Sequence, residues 1–193
     1  MSETPPAASE NEARLAELER KVQYLTDRQD ILDCLTRTSR GNDRFDKELI
    51  VGAYHEGGLH ELGTNLISGA DYGDHANHAH AAISETNLHN VTMHSCDIDG
   101  DVAHCESYVI GLFADKGAAT SRILAGRYID RLERRDGKWG IVLRRATVEV
   151  AMEGKAILPN GSGVQGSGYL KGNRDKTDPS YDRPLTTEGG GRW

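Results

Sequence analysis

Residues 125–146 read Ala-Gly-Arg-Tyr-Ile-Asp-Arg-Leu-Glu-Arg-Arg-Asp-Gly-Lys-Trp-Gly-Ile-Val-Leu-Arg-Arg-Ala. Two runs of twofold apolar alternation flank Asp136-Gly137, and glycine supplies the positive φ that a two-residue hairpin requires. Asp99-Gly100 marks a second such turn. Four strands are therefore expected, over 87–98, 102–113, 122–135 and 138–152, and the second half reads as an antiparallel meander.

Before residue 86 the period is helical. Leu15, Leu18, Val22, Leu25, Leu32 and Leu35 recur at three- and four-residue spacing, which predicts helical structure over about 11–41 with one apolar stripe. Thr26-Asp27-Arg28-Gln29 has the form of a capping box, so two helices meeting near Asp27 are an alternative to one. A short helix is expected over 46–54, ended by the glycines of His55-Glu-Gly-Gly-Leu-His60. A short strand over 59–66 and a third helix, opened by Ser68 and Asp71 and running to about 85, follow. Helices first and a long sheet afterwards predict an α+β cone: a strongly curved antiparallel sheet around a pocket closed by the amino-terminal helices.

The 193 residues suffice for one domain of ordinary size. The expected divisions are a disordered segment over 1–10, the cone over 11–152 and a glycine-rich extension over 153–193, where nine glycines and three prolines show no sustained period. With 23 basic against 30 acidic residues and a net charge of −7, no global field attracts nucleic acid or anionic lipid. Apolar residues make up 37% and mean hydropathy is −0.59, which assigns part of the length to polar ends. No apolar run approaches the roughly 20 residues of a membrane span. The start lacks the basic and apolar regions of a signal peptide, so a cytoplasmic protein is expected. Cys34, Cys96 and Cys105 are odd in number with no close pairing, which predicts reduced thiols and no disulfide framework.

Three stretches, Asp30-Ile-Leu-Asp-Cys-Leu35, Gly41-Asn-Asp-Arg-Phe-Asp46 and Ala125 to Trp139, in this order of elements, resemble the SnoaL-like branch of the nuclear transport factor 2-like superfamily over about residues 13–152. That cone hosts dehydratases, dehydrochlorinases, isomerases, cyclases, ring hydroxylase small subunits and non-catalytic modules, so function has to be argued from the pocket.

In dehydratases and dehydrochlorinases of the family, an aspartate at the place of Asp43 sits beside a histidine that acts as base. The resemblance implies that Asp43 orients His89 and that His89 removes a proton. The plainer alternative for Asp43 is a local cap or an ion pair with Arg40 or Arg44. Strict alternation puts His89, Val91 and Met93 on one strand face and His94 on the other, so a regular strand cannot bring both histidines to the pocket. Arg144 and Arg145 likewise face opposite ways, with Trp139 and Ile141 on the side of Arg145. The resemblance favours Arg144 in the pocket, where a guanidinium suits a departing anion.

Tyr54, His55 and His60 surround Gly57-Gly58, and a tyrosine or histidine there could donate a proton to a leaving hydroxyl. Tyr24 and Tyr128 are further substrate-contact candidates, although aromatic residues at such places also fill core. Arg127 reads as a structural ion-pair partner. In Asp74-His-Ala-Asn-His-Ala-His80, His75 and His78 share a helix face while His80 points away, which fits a polar helix face or a lid better than zinc. Gly161-Ser-Gly-Val-Gln-Gly-Ser-Gly168 lacks the context and lysine of a phosphate loop.

The resemblance thus implies a lyase without cofactor or metal, acting on a small aromatic substrate by acid/base elimination. It extends to a lyase that dehydrates a lignin-derived diarylpropane diol with release of formaldehyde to give a stilbene. An isomerase or cyclase using the same pocket, a ligand-binding module and a hydroxylase small subunit are the alternatives. A homo-oligomer, a trimer in preference to a dimer, is the implied assembly.

Overall fold

The computed structural model describes residues 6–156, 168–187 and 191–192. The chain opens with a single helix, α1 (Pro6–Arg44), which begins ahead of residue 11 and does not break at Asp27. Asp27 is buried and serves the sheet instead of a helix terminus: its carboxylate accepts hydrogen bonds from Trp139 Nε1 at 2.9 Å and Arg134 Nη1 at 2.8 Å. Beyond it Ile31, Cys34, Leu35 and Thr38 are wholly buried, whereas Leu15, Leu18, Val22 and Leu25 are exposed. At about 100° per residue the two sets lie on nearly opposite sides of α1. The expected single stripe is therefore two.

Helix α2 (Lys47–Val51) is shorter than expected, with the Asp46 side chain accepting from the Leu49 amide at 3.4 Å. The glycines of 55–60 do not separate helix from strand but lie inside β1 (Tyr54–Leu62), where the pairing register shifts. β2 (Asn65–Ser68) returns against it, and Ser68 caps α3 (Gly69–Ile83) by accepting from the Asp71 amide at 3.1 Å. Then come β3 (Ser84–Asp99), β4 (Val102–Asp115), β5 (Thr120–Arg135), β6 (Lys138–Ala146) and β7 (Val150–Lys155). Asp136 and Gly137 both take positive φ, 52° and 74°, in the β5–β6 hairpin.

The run expected over 138–152 is thus two strands, both paired with β5. The break faces Gly126, where a Cβ would run into the Thr147 carbonyl. The sheet order is β2-β1-β6-β5-β4-β3 with β7 also on β5. β1 pairs parallel with β6, so the sheet is mixed, where an antiparallel one was expected.

Two bulges reset the side-chain alternation. In β3 the register slips between Val91 and His94, leaving Thr92 and Met93 both outside, so His94 and Cys96 face the same way as His89. In β6 a slip opposite Arg131/Leu132 brings Trp139, Ile141 and Arg144 to one face, which removes the expected separation of Arg144 from Trp139. The main core joins Ile31, Cys34 and Leu35 of α1 to Leu132, Trp139 and Ile141 of the sheet. Cys96 and Cys105 lie directly opposite each other across β3 and β4 with sulfurs 3.2 Å apart, and both are free thiols.

Part of the carboxy-terminal extension packs back on the chain. Arg174 donates to the Ser84 carbonyl at 2.9 Å and to Asn87 Oδ1 at 3.4 Å, while Arg44 pairs with Asp178 at 3.1 Å. Tyr181 donates to Asp46 Oδ2 at 2.7 Å, and Lys176 pairs with the same carboxylate. Residues 1–5 of the segment expected to be disordered, and 161–167 of the glycine-rich run, lie outside the described residues. Among the described residues no helix is long and apolar enough to cross a membrane.

Candidate active site

A cavity of about 260 Å3 opens between α3 and the concave faces of β3, β4 and β5. Its wall is mainly apolar, with Ile83, Val109, Phe113, Leu124 and Val148. The polar side chains on it include His60, Tyr72, His80, His89, Arg122 and Tyr128.

The last turn of α1 and the first inward positions of β3 meet at this wall. Asp43 and His89, 46 residues apart, are brought to 2.7 Å between Oδ1 and Nδ1. The His89 backbone N–H donates to both carboxylate oxygens, at 2.9 and 3.1 Å, and the Asn87 side-chain amide donates to Oδ1 at 3.0 Å. Neither a helix cap nor an ion pair with Arg40 or Arg44 holds Asp43. The carboxylate fixes the tautomer with hydrogen on Nδ1 and leaves Nε2 as the free nitrogen of a ring that lines the cavity. Phe113 meets the His89 ring edge-on at 5.5 Å.

His80, expected to point away from His75 and His78, lies on the cavity wall without them, its ring 5.2 Å from that of His89. Burial, reinforced by His89, lowers its pKa to about 4. Its Nδ1 is buried without a hydrogen-bond partner. His60 stacks on Tyr72 at 3.7 Å, accepts from or donates to Tyr54 Oη through Nδ1 at 2.7 Å, and is held by burial at a pKa of about 3. Burial raises the pKa of Tyr72 and Tyr128, so both are O–H donors at neutral pH.

Arg144 is not on the cavity wall. It is 1% exposed, donates to both oxygens of Asp130 at 2.7 and 3.2 Å and to Thr38 Oγ1 at 2.6 Å, and lies 4.2 Å from the Tyr128 ring centre. Burial opposes its charge, and Asp130 more than restores it. The expected leaving-group contact is corrected to a buried support beneath Tyr128. Tyr54 is likewise a support, bonded to His60 and absent from the wall, and Tyr24 is exposed on the free part of α1. His55 bonds the Glu133 carbonyl at 2.9 Å. Arg127 is the ion-pair partner expected, with Glu106 at 3.0 Å and Glu149.

Sequence reading missed Tyr72, His80, Phe113 and Arg122 on the wall. Arg122 was legible as an inward position of β5 in register with Leu124, Gly126 and Tyr128; it pairs with Asp115. Among the described residues, the His, Cys, Asp and Glu side chains that converge closely enough to share an ion are His94, Cys96 and Cys105, within 4.8 Å, and not His75 and His78. Burial and the adjoining Cys96 thiol push the Cys105 thiol up, and a thiol held neutral is a poor ligand.

No curated protein sequence matches the chain. Among solved structures, a hexachlorocyclohexane dehydrochlorinase (LinA) type 2 superposes with TM-score 0.68 and 19% identity over 73% of this chain and 99% of that one. A scytalone dehydratase-like protein from Novosphingobium aromaticivorans DSM 12444 gives TM-score 0.62 and 16% identity over 74% and 97%. A single-substitution variant of Rv3472 from Mycobacterium tuberculosis, of unknown function, gives TM-score 0.58 and 27% identity over 65% and 77%. These likenesses show the cone fold, and the SnoaL-like domain model matches residues 23–145, more than half of the chain. The chain belongs to the SnoaL-like domain family.

Proposed function

We propose that the cavity carries out acid/base elimination on a small hydroxylated aromatic molecule, making the protein a lyase whose own side chains move the protons. The observation that carries this reading is the 2.7 Å contact between Asp43 Oδ1 and His89 Nδ1 on the wall of an apolar cavity. His89 accepts the substrate proton at Nε2, and Asp43 stabilises the imidazolium that forms. Tyr128 or Tyr72, kept protonated by burial, donates toward the leaving hydroxyl, and Arg122, its charge balanced by Asp115, presents N–H donors to a polar ring substituent. The dehydrochlorinase and dehydratase names among the structural neighbours agree with elimination chemistry.

The volume, just under the roughly 300 Å3 at which ligand clefts begin, suits one substituted ring with a short side chain. A diarylpropane diol of lignin origin would place one ring inside and the other toward the mouth. Loss of the primary alcohol proton to His89 would break the adjoining carbon–carbon bond to release formaldehyde. The freed electron pair would form the stilbene double bond as the benzylic hydroxyl leaves with a proton as water.

The test is product analysis by mass spectrometry and aldehyde detection on a panel of hydroxylated one- and two-ring aromatics. His89→Ala is expected to lower kcat by about 10²–10⁴-fold and Asp43→Asn by roughly hundredfold or more, with folding intact. Turnover by both variants at the wild-type rate overturns the reading. An isomeric product of unchanged mass replaces the lyase with an isomerase.

A further inference from the structure

Among the described residues, the cone leaves residues 10–26 of α1 uncovered. Residues 10–26 are all exposed, a rod of about 25 Å at 1.5 Å per residue. Leu15, Leu18, Val22 and Leu25 are between 50% and 64% exposed and lie on the side of α1 opposite the residues that dock on the sheet. A free helix of this length is marginal in water unless an apolar face is covered. The first three of these residues also precede the family match, which starts at residue 23.

Their spacing of three, four and three is that of a heptad seam, with Leu15 and Val22 at one core position and Leu18 and Leu25 at the other. The flanks are sorted by charge: Arg14, Lys21 and Arg28 follow one edge of the seam, and Glu12 and Glu19 the other. In a parallel pair the two edges face each other, so Arg14 of each helix meets Glu19 of the other. An antiparallel pair centred on the seam would set Lys21 against Lys21 and Glu19 against Glu19, while Arg28 is already engaged by the Cys96 carbonyl. Both like-charge contacts are repulsive.

We propose that the free half of α1 pairs in parallel, as a two-stranded coil, with the same helix of a second copy of this chain. Packing would remove the four apolar side chains of each helix from water, and the opposed edges choose the orientation. The outer face of the sheet also exposes Leu88, Ile110 and Leu112, so assembly as such is not the readout. The readout is the change that follows from the helix alone.

Light scattering after size exclusion on the full chain is expected to show a particle whose mass halves in Leu18→Glu/Leu25→Glu, while the near-ultraviolet circular dichroism of the cone is unchanged. A mass that stays the same, or falls by a factor other than two, overturns the proposal. A second variant does not depend on disrupting anything: Leu15→Cys is expected to crosslink to its own copy under mild oxidation, because a parallel coil sets residue 15 beside residue 15. The native cysteines are buried. In an antiparallel coil residue 15 sits opposite residue 25 of the partner, so absence of a 15–15 crosslink in a helix-dependent dimer also overturns it.

Discussion

Arg144 shows how a side chain can matter to a site without touching what the site holds. Its charge is spent on Asp130, which is as buried as itself, and on Thr38. Removing one member of such a pair strands the other, so Arg144→Ala is expected to lower stability by about 3–5 kcal/mol in urea unfolding. Arg144→Met combined with Asp130→Leu is expected to recover most of that loss, which a direct role in chemistry would not allow for activity. The buried histidines couple stability to pH. His80 and His60 have pKa values of about 4 and 3 in the folded chain, below the 6.5 of the unfolded one. As pH falls below 6.5 the unfolded chain takes up protons first, so stability present above 6.5 is lost progressively toward 4. Each histidine contributes up to about tenfold per pH unit in the folded-to-unfolded ratio. His60→Gln is expected to flatten the dependence of the urea midpoint on pH between 6.5 and 4; an unchanged slope refutes the assignment.

Elements were legible where a local signal sets them and were misread where a distant partner does. The hairpin at Asp136-Gly137 and the cap at Ser68 follow from residues within the turn itself. Asp43 and His89 were legible through resemblance, and their contact is what the structure adds. The β3 and β6 bulges were not legible, because alternation on one strand carries no information about a slip in its partner's register. They decide the faces of His94 and Arg144. Asp27 was misread because its partners, Trp139 and Arg134, lie more than 100 residues away. The break between β6 and β7 has the same origin. Gly126 leaves the space in which the Thr147 carbonyl crosses β5, so Gly126→Ala is expected to cost about 1–3 kcal/mol or more in chemical denaturation. Gly154→Ala, where a Cβ meets nothing, is expected to cost far less.

On the scale of the whole molecule, the extension beyond β7 ties the site to the chain's far end. Arg174 holds Asn87 by its Oδ1, which turns the Nδ2 of that amide toward Asp43 Oδ1 and the Asn42 carbonyl. It also bonds the Ser84 carbonyl at the start of β3 and stacks 4.4 Å from the Phe45 ring centre. Both elements that deliver the Asp43–His89 pair, the end of α1 and the start of β3, are therefore clamped by one guanidinium that touches neither member of the pair. If that clamp positions the pair, its loss should act on the proton transfer and not on the fit of the ligand. Arg174→Ala is expected to lower kcat several-fold with KM nearly unchanged, because the cavity wall does not include Arg174. Arg183→Ala, in the same extension but bonded to the carbonyls of 180 and 182, is the control and is expected to leave both constants alone. A rise in KM without a fall in kcat would place Arg174 in substrate binding. Equal effects of the two variants would reduce the extension to a covering of the cone.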